Sequence, residues 1–385
     1  MKTVYLDYNA TSPVLEEVAR EMAPYLSDRF ANPSSVHRAG QEARHAVEEA
    51  RERIAAAMGV KPREIIFTSG GTEANNLALK GAMRHEAERG RRHLAVSRIE
   101  HSSVVGAAEA LAREEGMEVG WVSASADGKV SPDAVRAALR PDTALVSVMH
   151  ANNETGVLQP IQEIARLARE RGILFHTDAV QAFGKVPFRP AEWGCDLASV
   201  SAHKIGGPKG AGALFCRSGV SLRALWHGGF QEKNLRPGTE NVGAFVGFGK
   251  AAELALRDRE EEARRLMKLR QTLERGLEEE VGGVSVNGTG PFLPQTLNAA
   301  FAGIEGTALA MNLDLEGLAV STGSACAAGS VEPSHVLLAM GLGPETAKSS
   351  LRFSFGRFTT EEEIRFAVRA VARVAGRLRK SALHG

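Results

Sequence analysis

The sequence predicts an α/β protein, a large domain with a mostly parallel sheet flanked by helices and a small α+β domain beside it. Three observations carry this. Between about residues 64 and 216, short apolar runs alternate with longer amphipathic stretches, the βα repetition that buries a parallel sheet under helices. Residues 241–280 contain no proline and turn from apolar to heavily charged halfway along, as a helix does when it leaves one core for another. The 385 residues also exceed one ordinary domain.

Taken in order, the first dozen residues, MKTVYLDYNATS, are too short for a domain and are expected to lie against one of the two. They have no apolar central region, so they do not read as a signal peptide, and a cytoplasmic protein is expected. The runs EIIFT, HLAVS, ALVSVMH, GILFHTDA, LASVSA and GALFC are the predicted strands. The segments that follow several of them are polar: SGGTEANN, IEHSS, HANNETG, DAVQ and SAHK. Ligands of such sheets bind at the carboxyl ends of the strands, so chemistry is sought there. The long helix over 241–280 leads to the small domain, which holds LRFSFGRF as a strand and a final helix from TTEEEI. The large domain is placed at 13–255 and the small one at 256–385, with 1–12 against either.

Composition narrows the partners. Forty-seven basic and 46 acidic residues leave a net charge of +1, which gives no reason to expect nucleic acid or a membrane surface. No apolar stretch is long enough to cross a bilayer. Small molecules and other proteins remain. The three cysteines form no CxxC pair, which fits reduced thiols. Cys195 and Cys216 sit in strand-like apolar sequence and read as buried small hydrophobes. Cys326, in the small-residue stretch STGSACAAGS, has no such surroundings, and that stretch reads as a loop.

Four strand ends carry candidate chemistry. Lys204 of SAHKIGGPKG follows one strand; alone it would read as a surface lysine, but screened from water it becomes an amine able to form a Schiff base. Asp178 of HTDAVQ ends another; it could cap a helix, or pair with a cationic ring nitrogen such as that of pyridoxal phosphate. In FTSGGTEANN, Gly70, Gly71 and Thr72 open a helix, where backbone N–H groups, a hydroxyl and the helix dipole suit a phosphate. A capping box of Thr72 and Asn75 is the plainer alternative. His101 of RIEHSS can lie flat on a ring and move protons near neutrality. An anion cradle, a flat ring, an acid and a lysine at four separate strand ends are hard to explain as caps.

The chain resembles the cysteine desulfurases, pyridoxal-phosphate enzymes of the aspartate aminotransferase superfamily. The resemblance rests on YLDYNATSP, NPSSVH, FTSGGTEANN, EHSS, NNETG, HTDAVQAFGKVP, SAHKIGGPKG, LRPGTEN, STGSACAAGS and LRFSFGRFTTEEEI, in that order. It implies the type I fold of such transferases with a seven-stranded sheet. It also implies that Lys204 holds the cofactor and shuttles the substrate's α-proton, with His101 stacked on the ring as a second acid and base. Asp178 and Gln181 would address the pyridine nitrogen and phenolic oxygen, and Asn153 would contact the ring system. Gly71, Thr72, Ser201 and His203 would hold the phosphate. Thr239 would reach the phosphate of a partner subunit, which implies a homodimer.

Arg352 leaves the strand LRFSFG on the face opposite Leu351, Phe353 and Phe355. By itself that could be a solvated face; the resemblance makes Arg352 the clamp for the carboxylate of L-cysteine, assisted by Asn32. Cys326 would take the substrate's sulfur as a persulfide and carry it to an acceptor, and small residues around it suit a loop with few packing contacts. The acceptor stays open: an iron–sulfur scaffold, with Cys326 as a transient ligand of the cluster, a tRNA-thiolation protein or a thio-cofactor enzyme. No resident metal is expected, because the histidines show no ligand spacing. Two features depart from the family. GGFQEKNLRPGTEN has Phe230, Lys233 and Asn234 where a third glycine and an Arg-Gly pair are expected, and no long scaffold-gripping tail follows GRLRKSALHG. A lyase releasing sulfide without a persulfide, and a non-catalytic cofactor-binding relative, are the competing readings.

Overall fold

The computed structural model describes residues 3–322 and 332–382. A two-residue strand, β1 (Val4–Tyr5), comes first. The central sheet follows: β2 (Ile65–Thr68), β3 (His93–Ser97), β4 (Glu118–Val122), β5 (Thr143–Ser147), β6 (Leu174–Asp178), β7 (Leu197–Ser201) and β8 (Gly212–Cys216). Their order across the sheet is β2-β8-β7-β6-β5-β3-β4. β8 runs against both its neighbours, and the remaining pairs are parallel. The carboxyl ends of β2, β3, β5, β6 and β7 therefore share one edge of the sheet.

Every residue of β3, β5 and β7 is buried, so these strands read as unbroken apolar runs rather than as alternation. Successive residues nevertheless serve different layers. Phe67, Ala95, Val146, Phe175 and Phe215 pack under the helices Arg38–Met58, Ile161–Glu170 and the start of Val242–Val281. Ile66, Leu94, Val96, Leu145 and Leu214 pack under Gly71–Ala87 and Ser102–Glu115. β4 is the strand that the apolar runs do not announce. It lies at the sheet edge, and only Val122 of EVGWV is buried. Cys195 is buried as expected, whereas Cys216, at the end of β8, is half-buried.

The helix Val242–Val281 has 40 residues and spans about 60 Å. Its first part lies so close to Arg38–Met58 that a Cβ on Gly249 would meet Ala50 Cα at 2.7 Å. Val242, Phe245, Val246, Phe248 and Ala252 belong to the large core, while Leu266, Leu269, Leu273 and Leu277 belong to a second one. That second core is built on β9 (Val284–Val286), β10 (Thr296–Phe301) and β12 (Ser350–Ser354), antiparallel in the order β12-β10-β9, and on the helix Glu361–Ala382. β11 (Leu318–Ala319) pairs in parallel with β1, and Leu6 enters the second core. Val336, Leu337 and Met340 cross back to the large core.

Candidate active site

The carboxyl edge of the sheet opens into a cavity of about 260 Å³ lined by Gly71, Thr72, Asn75, His101, Ser103, Met149, Asn153, Asp178, Val180, Gln181, Ser201, His203 and Lys204. Nine of the residues that the sequence assigned to the site thus meet in one place. Each comes from the end of a strand or the turn after it, so the parallel sheet is what gathers them.

Lys204 follows β7, and its Nζ donates to the carbonyls of Asn9 (2.6 Å) and Ala10 (2.7 Å). Burial, helped by the Arg352 charge, lowers its pKa to about 8, against the opposing pull of Asp7 and Asp178. Asp178 is buried. Its Oδ1 accepts the Val180 N–H at 2.9 Å, a local cap, and its Oδ2 accepts Asn75 Nδ2 at 2.7 Å. The cap and the cavity-facing carboxylate are therefore the same group.

Asn75 Nδ2 also donates to Ser103 Oγ at 2.9 Å. The Ser103 hydroxyl is then free to donate to His101 Nδ1, 2.8 Å away, and the same Nδ1 accepts the Ser103 N–H at 3.1 Å. This network assigns the ring proton of neutral His101 to Nε2. The ring is open to the cavity, yet enough protein surrounds it to hold its pKa below the usual histidine range, with Asp178 opposing and Lys204 assisting.

The helix Gly71–Ala87 has no side chain capping its first turn, so the proposed capping box is not formed and Asn75 turns into the cavity instead. A Cβ on Gly71 would meet Val180 Cγ2 at 2.7 Å, so glycine lets the backbone approach there. Ser201 Oγ, Asn153 Oδ1 and Asn75 Oδ1 are buried without a partner among the described residues. Unpaired polar atoms around a helix N-terminus fit a polar ring compound carrying a phosphate. His203 Nδ1 lies 3.1 Å from Thr11 Oγ1, and burial beside Lys204 lowers its pKa to about 4, which keeps the ring neutral. Gln181 Nε2 donates to Asn9 O (2.9 Å), while its Oε1 accepts from Lys185 Nζ (3.2 Å), an amine whose pKa burial lowers to about 7.

Three predicted residues lie elsewhere. Arg352 stands behind Asn153, donating to its carbonyl (3.0 Å) and to Asp7 Oδ1 (2.7 Å). Asn32 is exposed, and its Oδ1 accepts the Ser34 N–H in a surface turn. Thr239 is exposed as well; neither lines this cavity. Cys326, and with it the expectation of a loosely packed loop, falls outside the described residues. The chain on either side is held at the site. Ser321 exchanges backbone bonds with Arg352, Ser334 Oγ donates to Glu154, and His335 Nε2 lies 3.0 Å from Glu100 O.

The sequence reading missed Asn75 in this role, Ser103 and the segment Asp7–Ser12. That segment supplies carbonyls to Lys204 and Gln181, a carboxylate to Arg352 and the Ser12 hydroxyl to His203 O. The polar string YLDYNATSP held its one visible signal, since it lacks the apolar pattern of a packed strand.

A lysine, a buried aspartate and an anion cradle at the ends of parallel strands define a pyridoxal-phosphate enzyme. The chain belongs to the aminotransferase class-V family, whose profile matches residues 4–366. It is 47% identical over 379 residues to "Cysteine desulfurase IscS" of Dictyoglomus turgidum (strain DSM 6724 / Z-1310), covering 98% of this chain and 96% of that protein. Among solved structures it resembles a "NifS-like protein" at 37% identity and a TM-score of 0.91, covering 97% of this chain and 99% of the other. It also resembles "SspA in complex with cysteine" at 37% identity and a TM-score of 0.82, covering 92% and 99%.

Proposed function

We propose that the chain is a cysteine desulfurase that uses pyridoxal phosphate to move the sulfur of L-cysteine onto Cys326, leaving L-alanine. The observation that carries the site is the single cavity uniting Lys204, Asp178, His101 and the start of the helix Gly71–Ala87. Bound there, the cofactor withdraws electrons from an amino acid attached through its nitrogen.

The protein's own work is placement and proton transfer. Gly71, Thr72, Ser201 and His203 hold the phosphate, and Asp178, fixed by Asn75, faces the ring nitrogen. Gln181 faces the phenolic oxygen, and Asn153 and His101 bound the ring. Lys204, whose lowered pKa leaves a sizeable neutral fraction near pH 8, takes the α-proton. His101 Nε2 carries a proton on the cavity side. Arg352 fixes the carboxylate. The Cys326 thiolate then takes the sulfur: the substrate's Cβ–S bond breaks, an S–S bond forms, and carbon is reduced as sulfur is oxidised. The anchoring of Ser321 and Ser334 beside Arg352 and Glu154 supports delivery of Cys326 to this cavity.

The persulfide passes to a sulfur acceptor in the cytoplasm, and an iron–sulfur scaffold, with Cys326 a transient cluster ligand, is one acceptor class. The working unit is a homodimer, supported by exposed Phe230 on the wall of a cavity that also holds Pro33 and Ser34, because exposed apolar groups mark contact surfaces. The division at 255/256 follows the passage of the long helix between the two cores. The test is single-turnover reaction with L-cysteine. Lys204→Ala should abolish both alanine and persulfide. Cys326→Ser should retain the cofactor's absorption and lose the persulfide. Full alanine production by Cys326→Ser would overturn the proposed sulfur transfer.

A further inference from the structure

The hydrogen bonds of Arg352 can be counted. Nη1 donates to Asn153 O at 3.0 Å, and Nη2 donates to Asp7 Oδ1 at 2.7 Å. Nε is buried and has no partner among the described residues. An unpaired N–H on a side chain only 6% exposed is uncommon enough to need an explanation. Nε and Nη2 together form the side-on edge of a guanidinium, which a carboxylate takes with two parallel hydrogen bonds. Here one half of that edge lacks an acceptor and Asp7 holds the other half.

We propose that Asp7 is a positioning residue that stands in for the substrate's carboxylate: it holds Arg352 until the incoming α-carboxylate takes Nε and displaces Asp7 from Nη2. This rests on the reading of Arg352 as the carboxylate clamp. The exchange is asymmetric in solvation. Asp7 is 21% exposed, so its displaced carboxylate can be hydrated, whereas Arg352 at 6% cannot stand unpaired at the same cost. The backbone need not move, because Tyr5 Oη donates to Asp7 O at 3.0 Å and the Leu6 carbonyl accepts the Ser354 N–H at 2.8 Å.

Exchange rather than addition has a kinetic consequence. Asp7 competes with every carboxylate that Arg352 binds, the product's included, so it limits ground-state affinity and helps L-alanine leave.

The experiment titrates the holoenzyme with L-alanine and with cysteamine, which has the amine and thiol of cysteine but no carboxylate, following the bound cofactor's absorption. Asp7→Asn and Asp7→Ser should each bind L-alanine roughly three- to tenfold more tightly and cysteamine unchanged. KM for L-cysteine and kcat should fall together. Weaker or unchanged L-alanine binding, or an equal shift for both ligands, overturns the exchange. Retained absorption shows that each variant is folded and loaded, and two substitutions guard against the failure of one. Arg352→Gln separates the two ideas. If it leaves L-alanine binding unchanged relative to cysteamine, the clamp itself fails and the exchange with it; if it weakens L-alanine alone while Asp7→Asn does not tighten it, only the exchange fails.

Discussion

Lys204 is the residue at which environment most changes chemistry. Burial and the Arg352 charge bring its amine from the ordinary 10.5 to about 8, and the carbonyls of Asn9 and Ala10 hold it in place. Only the neutral amine attacks an aldehyde. Acid protonates it, so the rate at which the cofactor-free chain takes up pyridoxal phosphate should rise roughly tenfold per pH unit below 8 and level off above it. Stopped-flow absorption over a pH series checks this, and a midpoint near 10 would mean that the amine is solvated. The other two cysteines show the opposite effect. Burial raises the Cys195 thiol and brings that of Cys216 to about 11, so neither competes as a thiolate. The sequence told these thiols apart from Cys326 by their apolar neighbours. It could not reveal Asn75 as the link from Asp178 to His101 through Ser103, because the contact Asn75–Asp178 spans 103 residues and depends on two strand ends becoming neighbours.

Among the elements, the turn Gln231–Asn234 shows how a departure from the family pattern is accommodated. Glu232, Lys233 and Asn234 have φ of 42°, 59° and 65°, the left-handed region that glycine enters freely and other residues enter at a cost. Asn234 thus takes a left-handed backbone that a glycine would enter without that cost. The turn is held by Glu232, whose carboxylate accepts from Arg51 Nη1 (2.9 Å), Arg51 Nη2 (2.6 Å) and the Phe67 N–H (2.7 Å). Arg51 lies over the Phe67 ring at 4.7 Å. Both charged side chains are less than a tenth exposed, so Glu232→Gln would leave the buried guanidinium with only the half-exposed Glu48, at 3.1 Å from Nε, as a counter-charge. The expected loss is about 3 kcal/mol, read as a shift in the denaturant midpoint at unchanged slope; a loss below about 1 kcal/mol would mean that water reaches the pair. The central strands and the long helix were legible because burial on both faces and the change from apolar to charged both leave marks in the sequence. β4 was not, since an edge strand needs no apolar run.

At the scale of the whole molecule, the N-terminal segment adds to the ties between the two cores, beside the long helix and the Arg352–Asn153 bond. Leu6 packs in the smaller core, Asp7 meets Arg352, and Asn9 and Ala10 reach Lys204. Its contacts reach across up to 345 residues, a separation that no local pattern can encode. Thr239 poses the matching question between subunits. Exposed and away from its own cavity, it suits the proposed role at the partner's phosphate. Thr239→Ala should then weaken pyridoxal-phosphate affinity roughly tenfold, the loss of one hydrogen bond to a charged group. Mixing decides whether the residue acts within or between chains. In a hybrid of one Thr239→Ala chain and one Lys204→Ala chain, the first keeps its lysine and receives an intact threonine from the second. Half of the sites in that hybrid should regain full affinity and desulfurase activity. If Thr239 served its own chain, the Lys204-bearing site would stay weak and mixing would restore nothing. Affinity-tagged hybrids, isolated and titrated with the cofactor, give the two outcomes without overlap.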